Sequence, residues 1–162
     1  MNVSQISFLG KPKNYAVIDN YLSRSAQPEK EDFKWLKEQG VTDIFNFRTM
    51  TVSAIDYDEK AEVEKLGMKY HNIPSITKKP TVENVDTFIR EVEKVKQNGG
   101  KAHIHCKAGA DRTGMYAFIY KMSNGIGNLP KNQAEWFEYG YHYKLYPEIM
   151  EWAKNLVLKF KK

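Results

Sequence analysis

The sequence alternates between segments typical of β-strands and segments typical of α-helices. Residues 41–47, Val-Thr-Asp-Ile-Phe-Asn-Phe, are rich in β-branched and aromatic residues, and residues 68–73 and 102–106 are the second and third candidate strands. A charged helical segment, 57–66, lies between the first two, and a longer helical segment lies between the second and the third. Parallel strands need such crossover connections. The alternation therefore predicts an α/β domain with a largely parallel sheet flanked by helices.

The clearest helix is predicted over residues 82–95. It follows Pro80-Thr81 and ends at Asn98-Gly99, which are typical start and stop signals. Its apolar residues recur at intervals of three and four, as expected for one buried face, at Val82, Val85, Phe88, Ile89, Val92 and Val95. Further helices are predicted over residues 28–38, from Thr113 onward with breaks at 125–130 and 146–147, and at 149–160.

The length and composition are typical of one compact domain. The chain has 162 residues, of which 41% are hydrophobic, and it contains no repeat and no linker-like stretch. We therefore expect a single domain over residues 1–162. No apolar run approaches the roughly 20 residues that span a bilayer, and residues 1–12 lack the pattern of a secretory signal. These features favour a cytoplasmic protein without a membrane span.

Charge and cysteine content narrow the possible ligands. The 25 basic residues exceed the 20 acidic ones, and the net charge of +5 favours anionic ligands. A modest excess of lysine is typical of a solvated surface, so no nucleic-acid partner is predicted. With one cysteine, Cys106, neither a disulfide within the chain nor a four-cysteine zinc site can form.

The most informative segment is His-Cys-Lys-Ala-Gly-Ala-Asp-Arg-Thr-Gly, residues 105–114. Cys106 and Arg112 are separated by five residues between a predicted strand and a predicted helix. For both to bind one anion, the segment between them must curl into a tight loop, and Gly109 is best suited to permit that turn. Inward-pointing amide groups and the amino terminus of the following helix would then bind phosphate. The predicted phosphate-binding residues are Lys107, Ala108, Gly109, Ala110, Asp111 and Arg112.

The same loop predicts a nucleophile. Inward amides, a helix dipole and the charge of Arg112 favour the thiolate form of Cys106. The planar guanidinium of Arg112 can hold two phosphate oxygens through the transition state. Thr113 is expected to donate its hydroxyl to the sulfur, and His105 to orient the loop through a hydrogen bond to the backbone.

This segment resembles the signature of the cysteine-based protein tyrosine and dual-specificity phosphatase superfamily, which is His-Cys, five residues, then Arg and Ser or Thr. Residues 21–28, Tyr-Leu-Ser-Arg-Ser-Ala-Gln-Pro, look like the opening of the small bacterial and plant-fungal atypical dual-specificity phosphatases. The resemblance implies a three-layer, protein-tyrosine-phosphatase-like fold of dual-specificity size. It also implies hydrolysis of phosphorylated proteins or small phosphate esters through a phosphocysteine, with Cys106 as nucleophile, Arg112 as phosphate clamp and no metal or other cofactor.

One element of the superfamily pattern is missing. These phosphatases usually carry an Asp general acid on a loop after an earlier strand, but the corresponding residues 72–80 include no carboxylate. Asp111 is the best candidate, and its position resembles that of the Asp before the signature Arg in myotubularins. The alternative is a structural Asp111 that pairs with Arg112 or a neighbouring cation. The weaker candidates are typical of solvated surface, namely Asp56, Asp58, Glu83 and Asp86.

The sequence leaves the substrate open. Residues 106–109 resemble the start of the loop in lipid phosphatases related to phosphatase-and-tensin homologue, but Ala110 stands where those enzymes carry a second lysine. Hydrolysis of an inositol phosphate or phosphoinositide is therefore an alternative, with Lys78 and Lys79 as further anion contacts or as a solvated turn. A catalytically inactive phosphate-binding protein is a further alternative. Arg24 and Arg48 could reach the pocket mouth or serve the structure, and the aromatic residues at 136–146 are interpreted as core.

Overall fold

A computed structural model describes residues 10–49 and 55–160 of the chain. The strands are β1 Ala16–Asp19, β2 Leu22–Ser25, β3 Asp43–Asn46, β4 Lys69–Asn72 and β5 Ala102–His105. The helices are α1 Asp32–Glu38, α2 Glu59–Lys65, α3 Val82–Gln97, α4 Arg112–Ser123, α5 Leu129–Glu138 and α6 Pro147–Leu158.

The five strands form one sheet in the order β1-β2-β5-β3-β4. Strands β2, β5, β3 and β4 run parallel, and β1 pairs antiparallel with β2. In the register of the central strands, His105 pairs with both Ser25 and Asn46. The carboxyl ends of three parallel strands therefore meet at one edge of the sheet, which is where ligands bind in α/β folds.

Helices cover both faces of the sheet. Successive residues of a strand point to opposite faces, and Ile44 and Phe45 of β3 accordingly enter two different hydrophobic cores. The larger core joins the sheet to α3, α4, α5 and α6, and the smaller one joins it to α1 and α2. The predicted three-layer α/β architecture is confirmed.

Residues at the start of several helices explain where these begin. The side chain of Thr81 accepts a hydrogen bond from the backbone N–H of Asn84 at the start of α3, at 3.2 Å. Asp58 does the same for Ala61 in α2, at 3.1 Å. The predicted buried face of α3 is confirmed at its centre, but Val82 is 47% exposed because it lies in the first turn, beyond the edge of the core.

The structure adds one feature that was not among the three predicted strands. β1 and β2 form a hairpin, and its turn is closed by Asp19, whose Oδ1 accepts from the N–H of Tyr21 at 2.8 Å. No helix in the described part of the chain is long and apolar enough to cross a bilayer. The prediction about an amino-terminal signal falls largely on residues 1–9, which lie outside the described residues.

Candidate active site

The loop of residues 106–111 connects the carboxyl end of β5 to the first residue of α4, Arg112. Gly109 has a φ of +73°, in the left-handed region. A Cβ atom at this position would lie 2.5 Å from the backbone N of Ala26 and 2.6 Å from the backbone C of Ser25. The predicted turn at Gly109 is therefore confirmed, and the close approach of β2 gives a second reason for glycine.

Two carbonyl groups of the loop are held by the segment that contains β2. The backbone N–H of Gln27 donates to the carbonyl oxygen of Lys107 at 3.0 Å. The guanidinium of Arg24 donates through Nη2 to the carbonyl oxygen of Gly109 at 2.7 Å. The loop is thus tied along one side to the neighbouring strand of the sheet.

Two more carbonyl groups are held by residues far away in the sequence. Asn14 donates through Nδ2 to the carbonyl oxygen of Ala108 at 3.3 Å. Trp136, in α5, donates through Nε1 to the carbonyl oxygen of Ala110 at 3.2 Å, and its ring packs against Gly114. The carbonyl groups of four successive residues, 107–110, therefore all point outward to donors.

This arrangement fixes the direction of the loop amides. In a trans peptide the N–H points opposite to the C=O, so the N–H groups of residues 108–111 point away from these donors, into the loop. None of the amide groups of residues 107–111 donates a hydrogen bond to another residue within 10–49 or 55–160. Free amides that converge at the start of a helix are a typical anion-binding arrangement.

Cys106 lies at the base of this loop and is 2% exposed. Arg112 donates through Nη1 to the carbonyl oxygen of Ser75 at 3.2 Å, which places its guanidinium beside the segment of residues 72–80. The hydroxyl of Thr113 is buried and makes no hydrogen bond in the described part of the chain, so the expected bond to the sulfur is not formed in this structure.

His105 is completely buried and makes the predicted bond to the backbone. Its Nδ1 lies 3.2 Å from the carbonyl oxygen of Cys106. Its Nε2 lies 2.6 Å from Oε2 of Glu59, a buried carboxylate in the first turn of α2. The sequence did not indicate Glu59, because the charged segment around it is typical of a solvated helix.

Asp111 pairs with a residue that the sequence did not single out. Oδ1 of Asp111 accepts from the backbone N–H of His142 at 2.8 Å, and Oδ2 lies 2.9 Å from Nδ1 of the same residue. Asp111 therefore contacts a neighbouring histidine and not Arg112. The side chain of His142 is 50% exposed, so the pair lies at the surface end of the loop.

Within the described ranges, the remaining candidate carboxylates make no hydrogen bond to the loop. Asp58 caps α2, and Asp56, Glu83 and Asp86 are exposed. Lys78 and Lys79 are exposed as well. Ser75 is buried and bonds the hydroxyl of Tyr116 at 2.7 Å, and burial raises the pKa of Tyr116 to about 12.

Arg24 lies behind the loop and not at the mouth of the pocket. It is 1% exposed, and its guanidinium stacks on the ring of Tyr139 at 4.4 Å. Burial lowers the pKa of Arg24 from its usual value, and the negative charges of Glu135, ionised Tyr139 and ionised Cys106 oppose that shift. Arg48 is bonded to Oε1 of Gln27 at 2.9 Å.

Comparisons with known proteins agree with this geometry. The profile of the family described as DSP-PTPase phosphatase fused to NAD+ kinase matches residues 11–137, well over half of the chain. A search of curated protein sequences gives no significant match. No group of three His, Cys, Asp or Glu side chains within the described ranges is arranged to hold a metal ion.

Several solved structures share the fold. A DUF442 phosphatase from Shewanella putrefaciens CN-32 is 24% identical, with a TM-score of 0.75 over 99% of this chain and 97% of that chain. TpbA from P. aeruginosa is 18% identical, with a TM-score of 0.75 over 92% and 89%. The core catalytic domain of the PP-IP phosphatase SIW14 from S. cerevisiae is 17% identical, with a TM-score of 0.73 over 88% and 85%.

Because these three solved structures are at most 24% identical to this chain, they establish its fold alone. The family profile establishes its family membership. The match extends from β1 to α5 and includes the complete loop between Cys106 and Arg112. The chain therefore belongs to the family of protein tyrosine and dual-specificity phosphatases described as DSP-PTPase phosphatase fused to NAD+ kinase.

Proposed function

We propose that this phosphatase hydrolyses phosphomonoesters through a phosphocysteine intermediate on Cys106. The observation that carries the proposal is the loop itself, in which the carbonyls of residues 107–110 are all held outward and the amides of residues 108–111 face inward beside the cysteine. Such an array binds the three equatorial oxygens of a phosphoryl group without reorganisation during the reaction.

In the first step, the Cys106 thiolate attacks phosphorus in line with the leaving oxygen. The sulfur–phosphorus bond forms, the bond from phosphorus to the leaving oxygen breaks, and the leaving oxygen takes the proton of Asp111, which enters this step in its protonated form. The guanidinium of Arg112 follows the equatorial oxygens as the phosphoryl group flattens, using N–H groups other than the one that donates to the carbonyl of Ser75.

In the second step, water attacks the phosphocysteine. Asp111, now ionised, takes a proton from the water, the oxygen–phosphorus bond forms, and the sulfur–phosphorus bond breaks to release phosphate. The buried hydroxyl of Thr113, which makes no hydrogen bond within the described residues, is available to the departing sulfur. His142 holds the carboxylate of Asp111 at the end of the loop through two hydrogen bonds.

The proposed substrates are phosphorylated proteins or small phosphate esters. Two similar folds point to different esters: a TpbA structure contains phosphotyrosine, and SIW14 is described as a PP-IP phosphatase. In this chain Ala110 stands at the loop position where the lipid phosphatases related to phosphatase-and-tensin homologue carry a second lysine, and Lys78 and Lys79 are exposed. We therefore place phosphoproteins and simple esters before inositol phosphates.

The test is hydrolysis of p-nitrophenyl phosphate by the wild type and by Cys106→Ser, with a chelator present and under reducing conditions. The proposal predicts activity in the wild type, its loss in the variant, and phosphate trapped on the protein after acid quench of the wild type. If the reduced wild type binds phosphate but shows no turnover on this ester or on a panel of phosphopeptides and inositol phosphates, the protein is a phosphate-binding module and the proposal is wrong.

A further inference from the structure

Glu59 is a carboxylate buried in the interior of the protein. It is 4% exposed. Burying a carboxylate is costly unless its oxygens are hydrogen bonded, and both oxygens of Glu59 are. Oε2 lies 2.6 Å from Nε2 of His105, and Oε1 accepts from Nε2 of Gln27 at 2.7 Å. Because these bonds join Glu59 to residues outside α2, its carboxylate serves more than the stability of that helix.

Glu59 fixes the orientation of the imidazole that holds the nucleophile's backbone. The carbonyl oxygen of Cys106 only accepts, so Nδ1 of His105 carries the hydrogen of the 3.2 Å contact to it. The other ring nitrogen shares a hydrogen with Glu59. With both nitrogens engaged on opposite sides, the ring cannot flip without losing both bonds.

A second connection runs from Glu59 to the same loop through Gln27. The side chain of Gln27 donates to Oε1 of Glu59, and its backbone N–H donates to the carbonyl oxygen of Lys107. Two successive loop carbonyls, those of Cys106 and Lys107, are therefore held through residues that meet at this carboxylate. The amides of the next peptide units depend on the same orientation.

We infer that Glu59 is a positioning residue for the nucleophile, acting through His105 and Gln27 to hold the first two carbonyls of the phosphate-binding loop. The inference rests on the proposed function. It predicts a loss in the chemical step and not in substrate binding, because a displacement of the nucleophile by about 1 Å costs on the order of 100-fold in rate.

The chain offers a matched control. Asp43 and His71 form a similar carboxylate–imidazole pair, with Oδ2 and Nε2 2.7 Å apart, at the amino end of β3 and therefore far from the loop. Glu59→Gln and Asp43→Asn each replace one carboxylate oxygen by an amide NH₂ group. The structure assigns an effect on the nucleophile only to the first.

The experiment compares kcat and KM for p-nitrophenyl phosphate in both variants, with unfolding in urea to confirm that each is folded. Glu59→Gln should lower kcat by about 10- to 100-fold with KM nearly unchanged, and Asp43→Asn should leave kcat within about 2-fold of the wild type. A wild-type kcat in Glu59→Gln, or an equal loss in Asp43→Asn, would overturn the inference.

A double-mutant cycle tests the route. If Glu59 acts through His105, then Glu59→Gln in a His105→Asn background should lower kcat by far less than it does in the wild type. Fully additive losses contradict that route. Should Glu59→Gln fail to fold, Glu59→Asp, which keeps the charge and shortens the side chain by one methylene group, takes its place in the same cycle.

A separate readout does not depend on turnover. Because Cys106 is the only cysteine, the rate at which iodoacetamide labels the protein reports on this sulfur alone. A labelling rate that changes by several-fold in Glu59→Gln and not in Asp43→Asn supports the inference even if the wild type hydrolyses no ester. Equal labelling rates in all three proteins count against it.

Discussion

Two glycines have the same backbone angle φ in different surroundings. Gly109 and Gly99 both have a φ of +73°. A Cβ at Gly109 would lie 2.5 Å from backbone atoms of β2 and the residue after it, whereas a Cβ at Gly99 would meet nothing within 4 Å. Substitution of alanine at Gly99 therefore measures the free-energy cost of a positive φ alone. The same substitution at Gly109 adds the cost of the steric clash with β2.

Gly109→Ala is expected to reduce kcat by at least about 100-fold, because the loop must move away from β2 and its amides lose their alignment. Gly99→Ala should cost about 1 kcal/mol of unfolding free energy from the backbone alone and leave kcat unchanged. Enzyme assays and urea unfolding of both variants provide the measurement. Similar kcat values in the two variants would show that the contact with β2 does not support the loop.

Asp111 is the second residue for which a substitution is informative. Asp111→Asn should slow hydrolysis of phenyl phosphate by about 10²- to 10⁴-fold, and of p-nitrophenyl phosphate far less, because a good leaving group needs little help from a proton. The exposed Asp86 of α3 gives the control Asp86→Asn, which should behave as the wild type on both esters. Equal losses on the two esters in Asp111→Asn would rule out a role in leaving-group protonation.

At the scale of secondary-structure elements, patterns of local spacing predicted most of what forms. The helix predicted over residues 82–95 and observed at Val82–Gln97 was identified because its apolar residues recur with the period of one buried face, and the strand predicted at 102–106 is observed at Ala102–His105. The hydrophobic pattern that would predict hairpin β1–β2 is weaker, because the four buried residues of β2, Leu-Ser-Arg-Ser, are mostly polar. Ser23 and Ser25 bond to His103, and Arg24 donates to the carbonyl oxygen of Gly109, so their partners are residues that only the tertiary structure brings near.

The residues of the candidate active site also fall into a predicted group and a missed group. Cys106, Arg112 and the loop between them were predicted as a site because all of these residues lie within one short segment of the sequence. Glu59, Trp136 and His142 were not, because each reaches the loop from a segment whose own pattern is that of an ordinary surface helix, core helix or connection. The spacing of residues in the sequence does not predict contacts between segments that are distant along the chain.

The pairing of β2 with β5 buries a histidine. His103 is completely buried between two serine hydroxyls, with Nδ1 2.8 Å from Oγ of Ser23 and Nε2 2.7 Å from Oγ of Ser25. Burial, with smaller contributions from the charges of His105 and Lys101, lowers the pKa of His103 well below its usual value of 6.5. The unfolded chain therefore binds a proton below pH 6.5 that the folded chain does not bind.

Stability should accordingly fall as the pH drops below about 6.5, and His103 should contribute a slope of up to about 1.4 kcal/mol per pH unit. His103→Gln keeps a hydrogen-bonding side chain without a titrating group, so its unfolding free energy should vary less between pH 7 and pH 5. Urea unfolding at a series of pH values measures both slopes. Parallel curves for the two proteins would contradict a neutral, buried His103.

At the scale of the whole molecule, the sheet is shared by two cores of different size. Phe88 of α3 is completely buried in the larger core and Leu36 of α1 in the smaller one. Because β3 contributes Phe45 to one core and Ile44 to the other, we expect the two cores to unfold together. The prediction that the chain forms a single domain has a direct test here.

Phe88→Ala is expected to cost about 3–5 kcal/mol and Leu36→Ala about 2–5 kcal/mol of unfolding free energy. Both should shift one and the same cooperative transition, with circular dichroism and tryptophan fluorescence changing together. A variant that shows two separated transitions, with one core lost first, would divide the chain into two folding units.

The carbonyls of the catalytic loop are held by residues as early as Asn14 and as late as Trp136, and His142 fixes its end. During biosynthesis, the ribosome releases Cys106 well before it releases the helix and the connection that complete these contacts. A growing chain thus contains Cys106 before the residues that hold its loop have been released. We expect activity on phosphate esters only after His142 has been released, so that a polypeptide truncated before Trp136 does not act on phosphate esters.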